Sequence, residues 1–237
     1  MEASTSALSP ITSLFKGVGF DLHGVTSLEA YNKDVKEEFK ISPKDPSTQT
    51  LWVLGNTKSF WELFVSHLQN DASWISRDNP FDDFVEHQTN LLSGDLDAHS
   101  LSHEIYFAHK CSPHWVAIQK AAQLSGLAWI APSHLSVHNT YGPWISFRCI
   151  LLLKEEVELA AQLIKEPTCL SCQRHCHPVF LEIEQLQTKV DWKEWLKLRD
   201  SCPIGKLHRF GKEQIEYHYT KDKNVLQAII SKQEPTS

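Results

Sequence analysis

The chain has 237 residues, 41% of them hydrophobic and 22% charged, which suits a globular protein of one large domain, or one domain and a short extension. A net charge of −6 and a pI near 6.1 offer no broad basic surface to nucleic acid. The N-terminal MEASTSALSP lacks a basic region followed by an apolar core. The most apolar run, WISFRCILLL, carries Arg148 and is shorter than the roughly 18–20 apolar residues of a membrane span, so neither a secretory signal nor a membrane segment is expected, and a cytoplasmic location is.

Ser9-Pro10 reads as the N-cap and first residue of a short helix ending near Gly17. GFDLHGV alternates and predicts a strand; residues 28–39 read as helix, with Pro43 as the stop. TLWVLGN (50–56) reads as a buried strand. Thr57 then caps KSFWELFVSHLQ, where Phe60, Phe64 and Leu68 fall on one helical face. Asn79-Pro80 opens FDDFVEHQTNLLSG, which Gly94 is expected to end, and HEIYFAH (103–109) predicts a strand. Pro113 opens the helix HWVAIQKAAQLS, closed by Gly126. LAWIA (127–131) and HLSVHN (134–139) read as short strands, TYGP (140–143) as a turn, and WISFRCILLL (144–153) as the central strand. Residues 154–165 read as helix, a Cys/His loop follows, and the tail from 179 is mostly helical. Strands and helices mix without a βαβ rhythm, so the expected class is α+β.

Three features carry chemistry. CLSCQRHCHP (169–178) has C-x2-C-x3-C spacing with His175 and His177 inside it. Cys169, Cys172, Cys176 and Cys202 form a candidate thiolate set for zinc or for one iron–sulfur cluster, and a structural loop without metal stays open. Without a secretory signal, disulfides are not expected among the six cysteines. The helix after Pro113 sets Val116, Gln119 and Gln123 on one side, beside the small Ala117, Ala121 and Ala122, which suits close packing or a large flat ligand. Arg148 interrupts an apolar strand, so it needs an internal partner or a ligand anion. No nucleophile constellation or glycine-rich phosphate loop is visible. Residues 98 through 190 contain no aspartate, which excludes a paired-aspartate site there.

The order of several blocks adds a resemblance. SGLAWIAPSHLSVHNTYGPWISFRCILL is similar to the central block of the cobalamin-dependent epoxyqueuosine reductases. VGFDLHGVTSLEAYN, LWVLGNTKSFWELFVSHLQ, YGPWISFR, DWKEWLKLRD and HRFGKEQIEYHY together resemble the cobalamin-processing MMACHC (CblC) family over roughly residues 18–220. The resemblance implies a nitroreductase-like α+β scaffold whose mostly antiparallel central sheet is flanked by helices. It implies a cobalamin-binding core over 1–165, with a Cys/His loop and helical extension over 166–237 packing on it. It further implies base-off cobalamin, as substrate or cofactor, and removal of its upper axial ligand: cyanide by reduction with FMN or FAD as electron source, alkyl groups by transfer to glutathione. Val116, Ala117, Ile118 and Gln119 then line the corrin, with Ile130, Ala131, Ser136 and Phe147 opposite. Arg148, Arg199 and Arg209 match arginines that hold glutathione carboxylates. The partners implied are cobalamin, glutathione and a downstream cobalamin-trafficking protein, for a monomer or homodimer with no membrane contact.

The chain departs from the family pattern in three ways. Gln123 stands where the family has histidine, the stretch between the pocket strands is shorter, and HKCSPHW lacks the acidic proton donor of the epoxyqueuosine reductases. Six cysteines cannot fill those enzymes' two clusters, so CLSCQRHCHP reads as a reduced remnant of a cluster segment, or as a small zinc or single-cluster site. The alternatives to ligand removal are an epoxyqueuosine-type reductase with one iron–sulfur cluster, which alone would bring nucleic acid as a partner, and a non-catalytic cobalamin carrier.

Overall fold

The computed structural model describes residues 8–111, 115–154, 169, 172, 175–186 and 190–232. Among these, strands β1 (Leu22–Ser27), β2 (Thr50–Asn56), β3 (His103–Phe107) and β6 (Ser146–Leu153) form one sheet in the order β1-β2-β6-β3, antiparallel throughout. Two short strands, β4 (Trp129–Ile130) and β5 (Ser136–Val137), pair separately as a hairpin. LAWIA and HLSVHN thus keep two strand residues each. The rest of that stretch is spent on the turn, where Ala131 N–H bonds Leu135 O and His134 N–H bonds Ala131 O.

Every residue of β2 is buried, as a central strand covered on both faces must be. The two-residue alternation sends Trp52 and Leu54 to one face with Cys149, Leu151 and Leu153 of β6. There they meet α1 (Leu8–Gly17), α3 (Ser59–Asn70) and α4 (Pro80–Ala98) through Phe15, Phe60, Phe64, Phe81 and Phe84. Leu51, Val53, Ile150 and Leu152 point the other way, onto α2 (Leu28–Asp34) and α5 (Ile118–Leu124) through Leu28, Tyr31, Ala121 and Ala122. Helices therefore lie on both sides of the sheet. The chain continues in α6 (Cys176–Glu184), α7 (Trp192–Asp200), α8 (Lys212–Thr220) and α9 (Lys223–Ser231). Tyr217 of α8 and Leu226 of α9 complete the first core, and Trp144, Phe210 and Ile215 pack as a cluster beside it.

Several helix boundaries differ from the sequence expectation. Ser9 and Pro10 lie inside the first turn of α1, which begins at Leu8. The helix from residue 28 stops at Asp34, and Glu37–Phe39 is a separate 3-10 turn. Gly94 does not end α4: the fully buried Leu92 and Leu96 straddle it, and their packing outweighs the roughly 1 kcal/mol that an interior glycine costs. The helix expected from Pro113 starts only at Ile118. Ala117 has non-helical backbone (φ −82°, ψ 66°), and its N–H is taken by the Tyr31 hydroxyl at 2.9 Å. Pro113 itself and the helix expected over 155–165 lie outside the described residues. The other end of α5 follows expectation. Gly126 adopts φ +70°, its N–H bonds Gln123 O, and Leu127 N–H bonds Ala122 O, the paired bonds of a Schellman cap.

Candidate functional site

The sheet sets Arg148 by a bulge. Leu54 pairs with Cys149 but Gly55 with Phe147, so Arg148 is the extra residue on β6. Strict alternation would turn Arg148 toward α5 and Phe147 toward α4. The bulge reverses both. Arg148 swings to the face of Phe81 (4.8 Å from guanidinium carbon to ring centre) and Phe60, while Phe147 packs with the α5 cluster. Gly55 is required at this step, because a Cβ there would meet the Ser146 carbonyl oxygen at 2.7 Å. Arg148 Nε donates to Asn56 Oδ1 at 2.6 Å, and Asn56, at 0% exposure, is held by its own amide bond to Thr57 O at 2.7 Å. Asp21 holds Thr57 in turn, accepting from its N–H (2.8 Å) and its hydroxyl (2.5 Å).

One arm of Arg148 is left over. Its Nη2 is buried and has no hydrogen-bond partner among the described residues. Burial pulls the guanidinium down to about 10, Asp82 in the first turn of α4 works against that, and Arg199 adds to it. Arg148 is therefore cationic at neutral pH, beside a second cation, with hydrogen-bonding capacity to spare.

Leu135, Ser146, Trp195, Arg199, Phe210, His218 and Tyr219 line a cavity of about 400 Å³. Arg199, in the last turn of α7, lies over Trp144 and Phe210 (5.6 and 5.7 Å); burial pulls its guanidinium down and the nearby Tyr219 works against that. His218 sits against Phe81 (4.7 Å) and is held well below the ordinary imidazole value of 6.5 by desolvation, then by Arg148, Lys221 and Arg199. It is neutral at pH 7, and its Nε2 lies 3.5 Å from Gln214 Nε2. Arg209 is near, over Trp144 at 5.3 Å, but both prongs of its fork are filled by Asp200 (2.6 and 2.9 Å). The structure thus brings Arg148 and Arg199 together and gives Arg209 to an ion pair.

The residues expected around a corrin divide three ways. Val116, Ala117 and Ile118 pack in one cluster with Phe147, at the start of α5. Gln119 bridges to the hairpin, donating to His134 O and Ser136 Oγ, both at 3.0 Å, and Ile130 pairs with Ser136 across the ladder. Ala131 instead packs with Cys176, Cys202, Ile183 and Leu198 behind the hairpin. Two further features mark this region. Trp115, just before the helix, is 55% exposed, and Ser133 Oγ in the hairpin turn is buried without a partner among the described residues.

All six cysteines are free thiols. Cys169, Cys176 and Cys202 share the cluster behind the hairpin. Burial pushes Cys169 up to about 11, helped by Cys202, Cys176 and Cys172, so the four sulfurs act on one another. Among the described residues, no three His, Cys, Asp or Glu side chains stand in a metal-holding arrangement. His175 is exposed and His177 half-buried.

Sequence reasoning missed Asn56, Trp195, Phe210, His218 and Tyr219. Asn56 had a signal: an amide ending an otherwise apolar strand needs a partner. The cavity residues of α7 and α8 had none, because their facing side depends on how those helices dock.

The architecture, a central antiparallel sheet between helix layers with an added hairpin and C-terminal helices, is an α+β fold of the nitroreductase-like class. A crystal structure of a C. elegans B12-trafficking protein CblC, described as a human MMACHC homologue, superposes with a TM-score of 0.73 over 99% of each chain, at 18% identity. An epoxyqueuosine reductase matches with a TM-score of 0.57 over 92% of this chain and 70% of its own, at 11% identity. The Bacillus subtilis epoxyqueuosine reductase matches at 0.54, over 94% and 79%, also at 11% identity. None of the curated proteins matches by sequence. The profile of the methylmalonic aciduria and homocystinuria type C family matches residues 19–229, and the chain belongs to that family.

Proposed function

We propose that this protein binds cobalamin as its substrate and removes the upper axial ligand. Membership of the family and the likeness to a B12-trafficking protein support the cobalamin. The observation that carries the chemistry is the unpartnered Nη2 of Arg148, buried within electrostatic reach of Arg199 and His218, which line the 400 Å³ cavity. A cavity of that volume suits a tripeptide rather than a corrin. Arg148 and Arg199 take the carboxylates of glutathione there, since a guanidinium fork matches a carboxylate with two hydrogen bonds. Arg209 joins only by releasing Asp200.

The corrin lies outside this cavity, on Val116, Ala117, Ile118 and Phe147, with Ile130 and Ser136 on its other side. Gln119 exchanges its bonds to His134 and Ser136 for the corrin's peripheral amides. Two guanidiniums favour a thiolate, whose proton passes to solvent. The thiolate sulfur then forms a bond to the alkyl carbon, and the cobalt–carbon electron pair stays on cobalt. Release of cyanide as the anion requires an electron, which reduced FMN or FAD would supply. In this reading residues 1–165 hold the corrin, 166–237 deliver Arg199 to it, and a downstream trafficking protein receives the product. Among the described residues no helix is long and apolar enough to cross a membrane.

Mixing the purified protein with cyanocobalamin is expected to shift the corrin absorption to a base-off spectrum; an unchanged spectrum at excess protein overturns the proposal. Arg148→Ala is expected to raise the KM for glutathione in methylcobalamin dealkylation at least about tenfold, which is about 1.4 kcal/mol, with the base-off shift retained. Equal loss of both makes Arg148 structural. Base-off binding without turnover under thiol or flavin assigns the protein as a carrier.

A further inference from the structure

We propose that Asn56 is a positioning residue that aims Arg148 without neutralising it, and so makes the site select thiols that carry carboxylates. The inference rests on the reading of Arg148 and Arg199 as carboxylate holders. A contrast between two arginines carries it. Arg209 is held by a carboxylate: Asp200 fills the edge formed by Nε and Nη2 with bonds of 2.6 and 2.9 Å. Such a guanidinium has its charge answered and its fork closed. Arg148 offers the same edge to an amide. Its Nε donates to Asn56 Oδ1 at 2.6 Å, while Nη2 is buried with no partner among the described residues. Asp82, the carboxylate that acts on Arg148, makes no bond to that arm. The open half of the edge and the uncompensated charge are left for a ligand anion.

The anchor is itself fixed. Asn56 ends β2 at 0% exposure, where a polar side chain must be partnered. Its Nδ2 donates to Thr57 O at 2.7 Å, which leaves Oδ1 as the end that faces Arg148. Thr57 is tied to Asp21, which also accepts from the Ser59 hydroxyl at 2.9 Å. The chain of bonds thus runs from the Asp21 carboxylate through Thr57 and Asn56 to the guanidinium. Its negative charge stands at the far end, and only a neutral group touches Arg148. From the other side, Phe81 covers the guanidinium at 4.8 Å. A bond at Nε and a ring against the plane determine where a rigid planar fork points. A carboxylate in place of Asn56 would supply the second oxygen that Nη2 lacks and close the edge, as Asp200 does for Arg209.

Asn56→Asp keeps the shape and the acceptor and adds that charge. In methylcobalamin dealkylation, the ratio of kcat/KM for glutathione to that for mercaptoethanol, a thiol without carboxylates, is expected to fall at least about tenfold. A variant that is only less well folded loses both thiols together and leaves the ratio in place. In an Arg148→Ala background Asn56→Asp is expected to move the ratio no further, since the amide acts through the guanidinium. A ratio that ignores Asn56→Asp, or that falls as far without Arg148, overturns the proposal. Should Asn56→Asp fail to fold, Asn56→Ala, which removes the anchor and adds no charge, is expected to lower the same ratio; an unchanged ratio again overturns the proposal. A second readout needs no cobalamin. Glutathione is expected to raise the thermal midpoint of the native chain more than that of Asn56→Asp, and an equal rise overturns the proposal. A native chain with no preference for glutathione overturns the carboxylate reading and this inference with it, whereas a native preference that Asn56→Asp leaves intact overturns this inference alone.

Discussion

Arg148 and His218 form one electrostatic unit with Arg199, and that unit has a pH signature. His218 is held well below 6.5 by desolvation and by the neighbouring cations, so the folded chain does not protonate it near that value. The unfolded chain does. Below about pH 6.5 the unfolded state binds more protons, and stability falls as pH falls. The thermal midpoint is expected to drop between pH 7 and pH 5, and His218→Asn, which cannot titrate, is expected to flatten part of that drop; an unchanged slope removes His218 from the unit. The charge of Arg148 in an apolar strand was legible from the sequence, including its need for a partner. Its direction was not, because the bulge exists only where β6 meets β2 at Leu54 and Gly55.

At the scale of elements, two glycines should respond oppositely to the same change. Gly205→Ala places a Cβ against the Tyr141 carbonyl at a left-handed φ, and is expected to cost more than about 1 kcal/mol. Gly94→Ala adds a methyl where nothing lies within 4 Å, inside α4, and is expected to add about 0.5–1 kcal/mol. Denaturant midpoints, with unchanged slopes, report both; a shift of the same sign in the two variants contradicts these backbone assignments. The sequence placed TLWVLGN on its strand to the residue and put Phe60, Phe64 and Leu68 on the buried face of α3. It misjudged Gly94 and the start of α5, since a propensity near 1 kcal/mol yields to two buried leucines, and a helix start yields to a hydroxyl that arrives from Tyr31.

For the whole molecule, a ligand that binds only the folded chain must raise its thermal midpoint. Cyanocobalamin at about 100 times its Kd is expected to stabilise by about 2.7 kcal/mol, read as a concentration-dependent rise in Tm by calorimetry. A midpoint that ignores cobalamin contradicts a folded-state site. What the sequence determined by itself is the inventory: which segments alternate with period two or 3.6, which residues carry charge or thiol into apolar surroundings, and the order of blocks that marks the family. Those properties are local, set by dihedral preference and by which face must leave water. Only the tertiary structure decided which of them meet. Arg148 reaches Asn56 across 92 residues of chain, and then feels Arg199 and His218 from helices further along the sequence. Such encounters depend on strand register and helix docking, and no local pattern encodes either.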